Sequence, residues 1–271
     1  MNATICPDTG IAYDRAGPAG DEPVVLIHAG VADRRMWDPI WDGLSADRDV
    51  IRLDLRGFGD STARPDGPLC SVDDVTATLT WLGASRFHLV GASFGAGVAV
   101  ETALTHPDAV ASLLLAAPGG SLITGVTPDL RAFLDAEGKA LERKDLEAAV
   151  QANLDWWVVG PHRSSADVSP EILDRIRIMQ GRAFELTADW DDVDEAELEP
   201  PAFERFDEVR APTLVLSGRL DLDAIREATR RVVAGIAGAR HIEWPDTAHL
   251  PSMERPDDFL QLLRDWLTPT S

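Results

Sequence analysis

The feature that most constrains this chain is Gly91-Ala92-Ser93-Phe94-Gly95, set between two apolar runs. Residues 87–90 predict a short buried strand, and the Ala-rich residues 96–104 predict a helix. A strand that turns directly into a helix brings backbone close to backbone on both sides of the turn, so glycine is expected at 91 and 95. The turn forces its middle residue into a strained conformation and lifts the Ser93 hydroxyl clear of the strand end. The helix that starts there points unpaired backbone N–H groups at whatever approaches the hydroxyl. In a chain with 21 glycines the G-x-S-x-G spacing alone also arises by chance. The strand before it and the helix after it are the context that distinguishes the motif.

The rest of the chain fits around this turn. Residues 3–6 and 11–16 predict a hairpin across Pro7-Asp8-Thr9-Gly10, and 17–21 a loop. Residues 24–27 are a continuous apolar run of the kind found in strands buried on both faces, and residues 50–53 predict the next strand. Helices are predicted over 37–44 and from Ser71, as cap, to Leu82, with Asp73 and Asp74 in the first turn. Residues 110–117, 213–216 and 239–244 predict further strands, with helices at about 222–234 and at 256–267. Pro256 suits the first turn of the last helix. Alternating strands and helices predict a mostly parallel sheet with helices on both faces. Residues 119–208 break the alternation. They hold helical patterns at 129–138, 146–157 and 170–186 and no buried strand, with an acidic, solvated connector at 189–195. The expected organisation is an α/β core over 1–118 and 209–271 and a helical cap inserted at 119–208.

Composition excludes some classes. The 271 residues are 45% hydrophobic, enough for a sizeable core, and the formal charge of −21 repels phosphate backbones and anionic lipid. Neither nucleic acid nor a membrane is an expected partner. No basic start precedes an apolar run, no run is long enough to span a bilayer, and the expectation is a cytoplasmic chain. Cys6 and Cys70 form neither a framework nor a metal cluster and are expected as buried thiols.

Reactive side chains of open α/β sheets sit past the carboxyl ends of strands. Ser93 is one. Asp221 and Asp223 follow the 213–216 strand, and His249 follows the last strand, with Asp246 close to it. A serine hydroxyl is a weak nucleophile. A histidine takes its proton, and a carboxylate holds the imidazole. The order Ser, Asp, His, together with His28-Ala29-Gly30, Asp54-Leu55-Arg56-Gly57-Phe58-Gly59, Gly218-Arg219-Leu220-Asp221 and Ala248-His249, resembles the α/β-hydrolase family over nearly the whole chain. Such proteins usually carry His-Gly after the third strand; here Gly30 comes one place later, after Ala29. The resemblance implies Ser93, Asp221 and His249 as the catalytic residues, and the backbone N–H groups of Gly30 and Phe94 as the oxyanion hole. It implies neither metal nor organic cofactor. A serine in place of an aspartate nucleophile argues against dehalogenase or epoxide hydrolase chemistry.

The implied function is hydrolysis of a small ester, thioester or lactone through an acyl-enzyme. An acyltransferase using the same triad, with an acyl carrier protein as possible partner, is the alternative. A non-hydrolytic binding or receptor protein is another. Val31, Trp156 and Trp157 are the candidates for the substrate pocket; the two tryptophans either line it or pack cap onto core. His28 is expected to hold the oxyanion loop, Asp54 and Arg56 to brace a strand-end loop, and His88 to be a satisfied core histidine. His106, His162 and His241 carry no expected role.

Overall fold

The computed structural model describes residues 3–20 and 22–268. Asp21, which ends the expected 17–21 loop, and residues 1–2 and 269–271 of the expected core lie outside the described residues. Eight strands form one sheet: β1 (Thr4–Ile5), β2 (Ala12–Ala16), β3 (Val24–Ile27), β4 (Val50–Leu53), β5 (Phe87–Ala92), β6 (Val110–Ala116), β7 (Thr213–Gly218) and β8 (Arg240–Trp244). Their order is β1-β2-β4-β3-β5-β6-β7-β8. β1 and β2 are the antiparallel hairpin at one edge, and β2 also runs antiparallel to β4. The remaining pairs are parallel.

Side chains alternate across the sheet with the period of two that strands impose, and so they feed two cores. Val25, Ile27, Ile51, Leu53, Leu89 and Leu113 meet α2 (Ser71–Trp81) and α3 (Phe94–Thr105) on one face. Val24, Leu26, Val50, Val90, Leu114 and Leu216 meet α1 (Asp38–Ser45) and the closing helix on the other. Each fully buried aliphatic side chain contributes about 1.5–3 kcal/mol of transfer free energy. That is why the central strands are mostly apolar, interrupted by Arg52 in β4, His88 in β5 and Ser112 in β6.

Between β6 and β7 the chain forms helices: α4 (Pro128–Glu142), α5 (Leu146–Asn153), a π-turn (Leu154–Val159) and α6 (Pro170–Leu186), with short 3-10 turns. After β7 come α7 (Asp223–Gly235), then β8, α8 (Pro251–Glu254) and α9 (Pro256–Leu267). Among the described residues no helix is long and apolar enough to cross a membrane.

Four details differ from the sequence reading. Ser71 does not cap α2. Cys70 holds the cap position and makes no side-chain cap bond, and Ser71 is the first helical residue. The helix expected over 146–157 ends at Asn153 and continues as a π-turn closed by Gly160. The acidic connector is pinned rather than free. Leu69 N–H donates to Asp194 O at 2.8 Å, Ala196 N–H donates to Leu69 O at 2.8 Å, and Arg64 pairs with Asp192. Cys6 is buried, but Cys70 is only half-buried.

Candidate active site

The strand order reverses at β3. From β3 the chain moves to β4 on one side, then crosses to β5 on the other. A crevice opens above such a switch point, between the carboxyl ends of β3 and β5. Gly30 follows β3 and Ser93 follows β5. Ser93 has φ 52° and ψ −114°, a conformation that side-chain-bearing residues rarely adopt. The flanking glycines explain how the strain is held. A Cβ on Gly91 would lie 2.3 Å from Gly95 O, and one on Gly95 would lie 2.5 Å from His28 O. The β5–α3 turn therefore packs against itself and against the β3 loop with no space for a methyl group. Ser93 N–H donates to Ala116 O at 2.9 Å and Gly119 N–H to Ser93 O at 3.2 Å, which ties the turn to β6.

Three side chains that are distant in sequence meet here. Ser93 Oγ lies 2.7 Å from His249 Nε2. His249 Nδ1 lies 2.9 Å from Asp221 Oδ2. Asp221 is fully buried, and its other oxygen accepts the Leu222 N–H at 2.8 Å. An acceptor carboxylate on Nδ1 fixes the tautomer with its proton there, so Nε2 accepts the serine proton. The rival carboxylates are engaged elsewhere. Asp223 opens α7 and pairs with Arg226, while Asp246 pairs with Arg255 on the surface. The N–H groups of Gly30 and Phe94 have no acceptor among the described residues. Their residues lie side by side, since a Cβ on Gly30 would sit 3.5 Å from Phe94 Cβ.

The loop after β3 is held from beneath. His28 is fully buried; its Nδ1–H donates to Ala29 O at 2.8 Å, and its Nε2 accepts the Leu55 N–H at 2.9 Å. Burial lowers its pKa, so the ring is neutral and bridges the β3 and β4 loops. Asp54 pairs with Arg34 and accepts the N–H groups of Arg34 and Asp60, while Arg56 pairs with Asp74.

A cavity of about 300 Å³ opens onto Ser93 and His249, at the small end of ligand pockets. Gly30, Val31, Phe94 and Trp157 border it. The Trp157 ring lies 4.7 Å from the His249 ring and covers it. Trp156 does not border the cavity. Both tryptophans pack against Ala117, Leu222 and Ile225 and against Leu130, Phe133 and Ala224, and it is the Trp157 ring that also borders the cavity and lies against His249. Phe184 packs into the core below α6. Among the bordering residues that the sequence reading missed are three polar ones, Glu137, Asn153 and Gln180. The signal for two of them was a single polar residue in an apolar helical stripe.

A larger groove of about 420 Å³ lies by the amino end of β5, near Glu22, His88 and Ser112. His88 is half-buried there rather than in the core, with Nδ1 2.8 Å from Ser112 Oγ. Ser112 is inside β6, paired with β5, and not at a strand-to-helix turn. A serine beside a histidine without nearby oxyanion donors is a poor acyl-transfer site.

The sequence pattern of the alpha/beta hydrolase family matches residues 24–262. The chain belongs to the alpha/beta hydrolase family. Among its relatives is a 2-hydroxy-6-oxononadienedioate/2-hydroxy-6-oxononatrienedioate hydrolase of Klebsiella pneumoniae. It is 28% identical, with 92% of this chain and 88% of the relative covered. An enol-lactonase from Burkholderia xenovorans is similar in structure, with a TM-score of 0.75, 29% identity and 96% of each chain covered. An N-acyl homoserine lactone degrading enzyme matches with a TM-score of 0.73 and 26% identity, over 95% of this chain and 96% of the other.

Proposed function

We propose that this alpha/beta hydrolase cleaves a small ester or lactone through an acyl-enzyme on Ser93. The observation that carries the reading is the hydrogen-bonded line from Ser93 Oγ through His249 to buried Asp221, at a strained turn that opens into a cavity. In this reading His249 Nε2 takes the Ser93 proton as Oγ attacks the carbonyl carbon. Asp221 stabilises the imidazolium that forms. The oxyanion is received by the N–H groups of Gly30 and Phe94, and each such donor is worth about 3–4 kcal/mol of barrier. His249 then gives its proton to the leaving oxygen and activates a water to release the acid. The helical block between β6 and β7 acts as a cap that excludes bulk water.

Lactone and ester chemistry is favoured over the dicarboxylate named for the Klebsiella relative. Among the described residues no Lys or Arg borders the cavity, so a second carboxylate would find no counter-charge there. The test is intact-mass analysis after exposure to a serine-reactive phosphonate, with a panel of esters, thioesters and lactones. One adduct is expected on the wild type and none on Ser93→Ala, whose turnover falls at least about a thousandfold. An adduct that persists on Ser93→Ala would sink the reading.

A further inference from the structure

Three helices between β6 and β7 each place one polar side chain where their packing calls for an apolar one. In α4 the residues bordering the cavity are Leu130, Phe133, Leu134 and Glu137, spaced as one helix face. In α6 the buried residues are Ile176, Met179, Gln180 and Ala183, the same spacing with a glutamine in the third place. In α5 the buried run Ala149, Val150 and Ala152 ends on Asn153. All three polar residues border the same cavity as Ser93 and His249. Asn153 and Gln180 are buried and Glu137 is half-buried, and a buried polar group costs stability unless it is satisfied, so the convergence of the three on one space is not a packing accident.

Their hydrogen bonding is incomplete. Asn153 is 3% exposed, and its amide donates to Glu137 Oε1 at 2.6 Å and to Ala149 O at 3.0 Å. Both its protons are spent, so it holds the Glu137 carboxylate in place. Gln180 is 6% exposed, and its Oε1 has no partner among the described residues. Glu137 is left with acceptor capacity beyond the Asn153 bond, and Gln180 brings an amide that both donates and accepts. Burial raises the Glu137 pKa against the pull of the Asn153 amide because this space solvates a negative charge poorly, and a substrate carboxylate lodged there would meet the same penalty.

We propose that Glu137 and Gln180, with Asn153 as the positioning residue, form a polar subsite that recognises a neutral hydroxyl or amide on the non-reacting end of the substrate. The proposal rests on the reading of Ser93 as nucleophile. It adds that the substrate is not a plain alkanoyl ester: its far end donates and accepts hydrogen bonds, and it carries no carboxylate. Apolar Leu130, Phe133 and Trp157 bound the space where the connecting chain would lie.

The experiment compares aryl esters whose acyl chains have matched length and end in methyl, hydroxyl, carboxamide or carboxylate, over several lengths. At one length the wild type is expected to turn over the hydroxyl or carboxamide ester with a kcat/KM roughly ten- to a hundredfold above the methyl ester, the size of effect expected when a buried polar group gains or loses its partner. The carboxylate ester should be the poorest. In Gln180→Met and Glu137→Met the hydroxyl-to-methyl ratio should fall to one or below, and Glu137→Gln should retain it. Phosphonate labelling of Ser93 shows that each variant keeps an assembled site. A methyl ester preferred by the wild type at every length overturns the subsite, whatever the variants do. So does a ratio unchanged in both Met variants, which would leave the trio as helix-to-helix ties. If no ester is cleaved and Ser93 takes no label, it is the nucleophile reading that falls, and the subsite falls with it.

Discussion

Asp221 and Asp223 are two residues apart and chemically identical, yet their surroundings assign them different work. Asp221 is fully buried against His249, whereas the Asp223 side chain is about half exposed beside Arg226. Asp221→Asn is expected to lower kcat by about ten-thousandfold, since an amide at that place favours the wrong imidazole tautomer. Asp223→Asn should change it less than about threefold, because an exposed pair contributes little. Steady-state kinetics on one ester checks both, and the reverse ranking would move the carboxylate role. His28 governs a different property. Its pKa falls from an ordinary 6.5 because the charged ring cannot be solvated where it sits. Below about pH 6.5 the unfolded chain binds a proton at His28 that the folded chain refuses, so stability declines as pH falls through that value and is insensitive to this group above it. Urea unfolding between pH 7.5 and 5.5 should show a shallower decline for His28→Gln than for the wild type, by at most one proton, or about 1.4 kcal/mol per pH unit.

At the scale of elements, the π-turn after α5 carries two adjacent tryptophans with overlapping but unequal surroundings. Both pack against Leu222 and Ile225 at the start of α7, and the Trp157 ring also lies on His249. Such turns are rare, and they are frequent at functional sites. Trp157 packs edge-to-face with Phe133 of α4, at a ring distance of 5.1 Å, so it joins the helical block to the triad. Trp157→Ala should alter KM or the preference among acyl chains at least fivefold, while the melting temperature falls by only a few degrees, since the residue is half-buried. A large loss of melting temperature with unchanged preference would assign the ring to packing alone. Trp156→Ala, one residue away and off the cavity, is the internal control for selectivity.

At the scale of the molecule, the sheet is proposed to supply the reacting groups and the helical block part of the walls. Ser93 is 9% exposed and His249 1% exposed, and the cavity that opens onto them is bordered by residues of α4, α5 and α6 as well as by Gly30, Val31 and Phe94. Whether the acyl group goes to water or to another acceptor therefore depends on that space rather than on the triad. Water needs one hydrogen bond to His249 and little room, which a cavity of about 300 Å³ provides beside a small acyl group. After loading with an activated ester, mass analysis should show the acyl group leaving as free acid within the time of a few turnovers. An acyl-enzyme that persists in water for many minutes and clears when an alcohol or amine is added would make the protein a transferase.

Much of this architecture was legible in the linear chain because it is enforced locally. A continuous apolar run at 24–27 and mostly apolar runs at 87–90 and 110–117 mark the buried strands. Gly91 and Gly95 mark a turn with no space for a methyl group, and Pro170 and Pro256 mark helix starts that the structure places at those residues. Strand ends point to Ser93, Asp221 and His249 for the same reason: the backbone of a parallel sheet delivers loop residues to one edge. Ser71 shows where local signals stop. A good capping residue became the first helical one, since the chain path into α2 was set by what packs on it. Trp156 and Trp157 could not be told apart in sequence, because which of them reaches the histidine depends on how their turn meets the sheet. Nor could Glu137, Asn153 and Gln180 be read as a group. Each looked like a single irregularity in its own helix, and only the packing of three helices over one cavity made them neighbours. Periodicity is a property of one element, and a binding surface is a property of how elements meet.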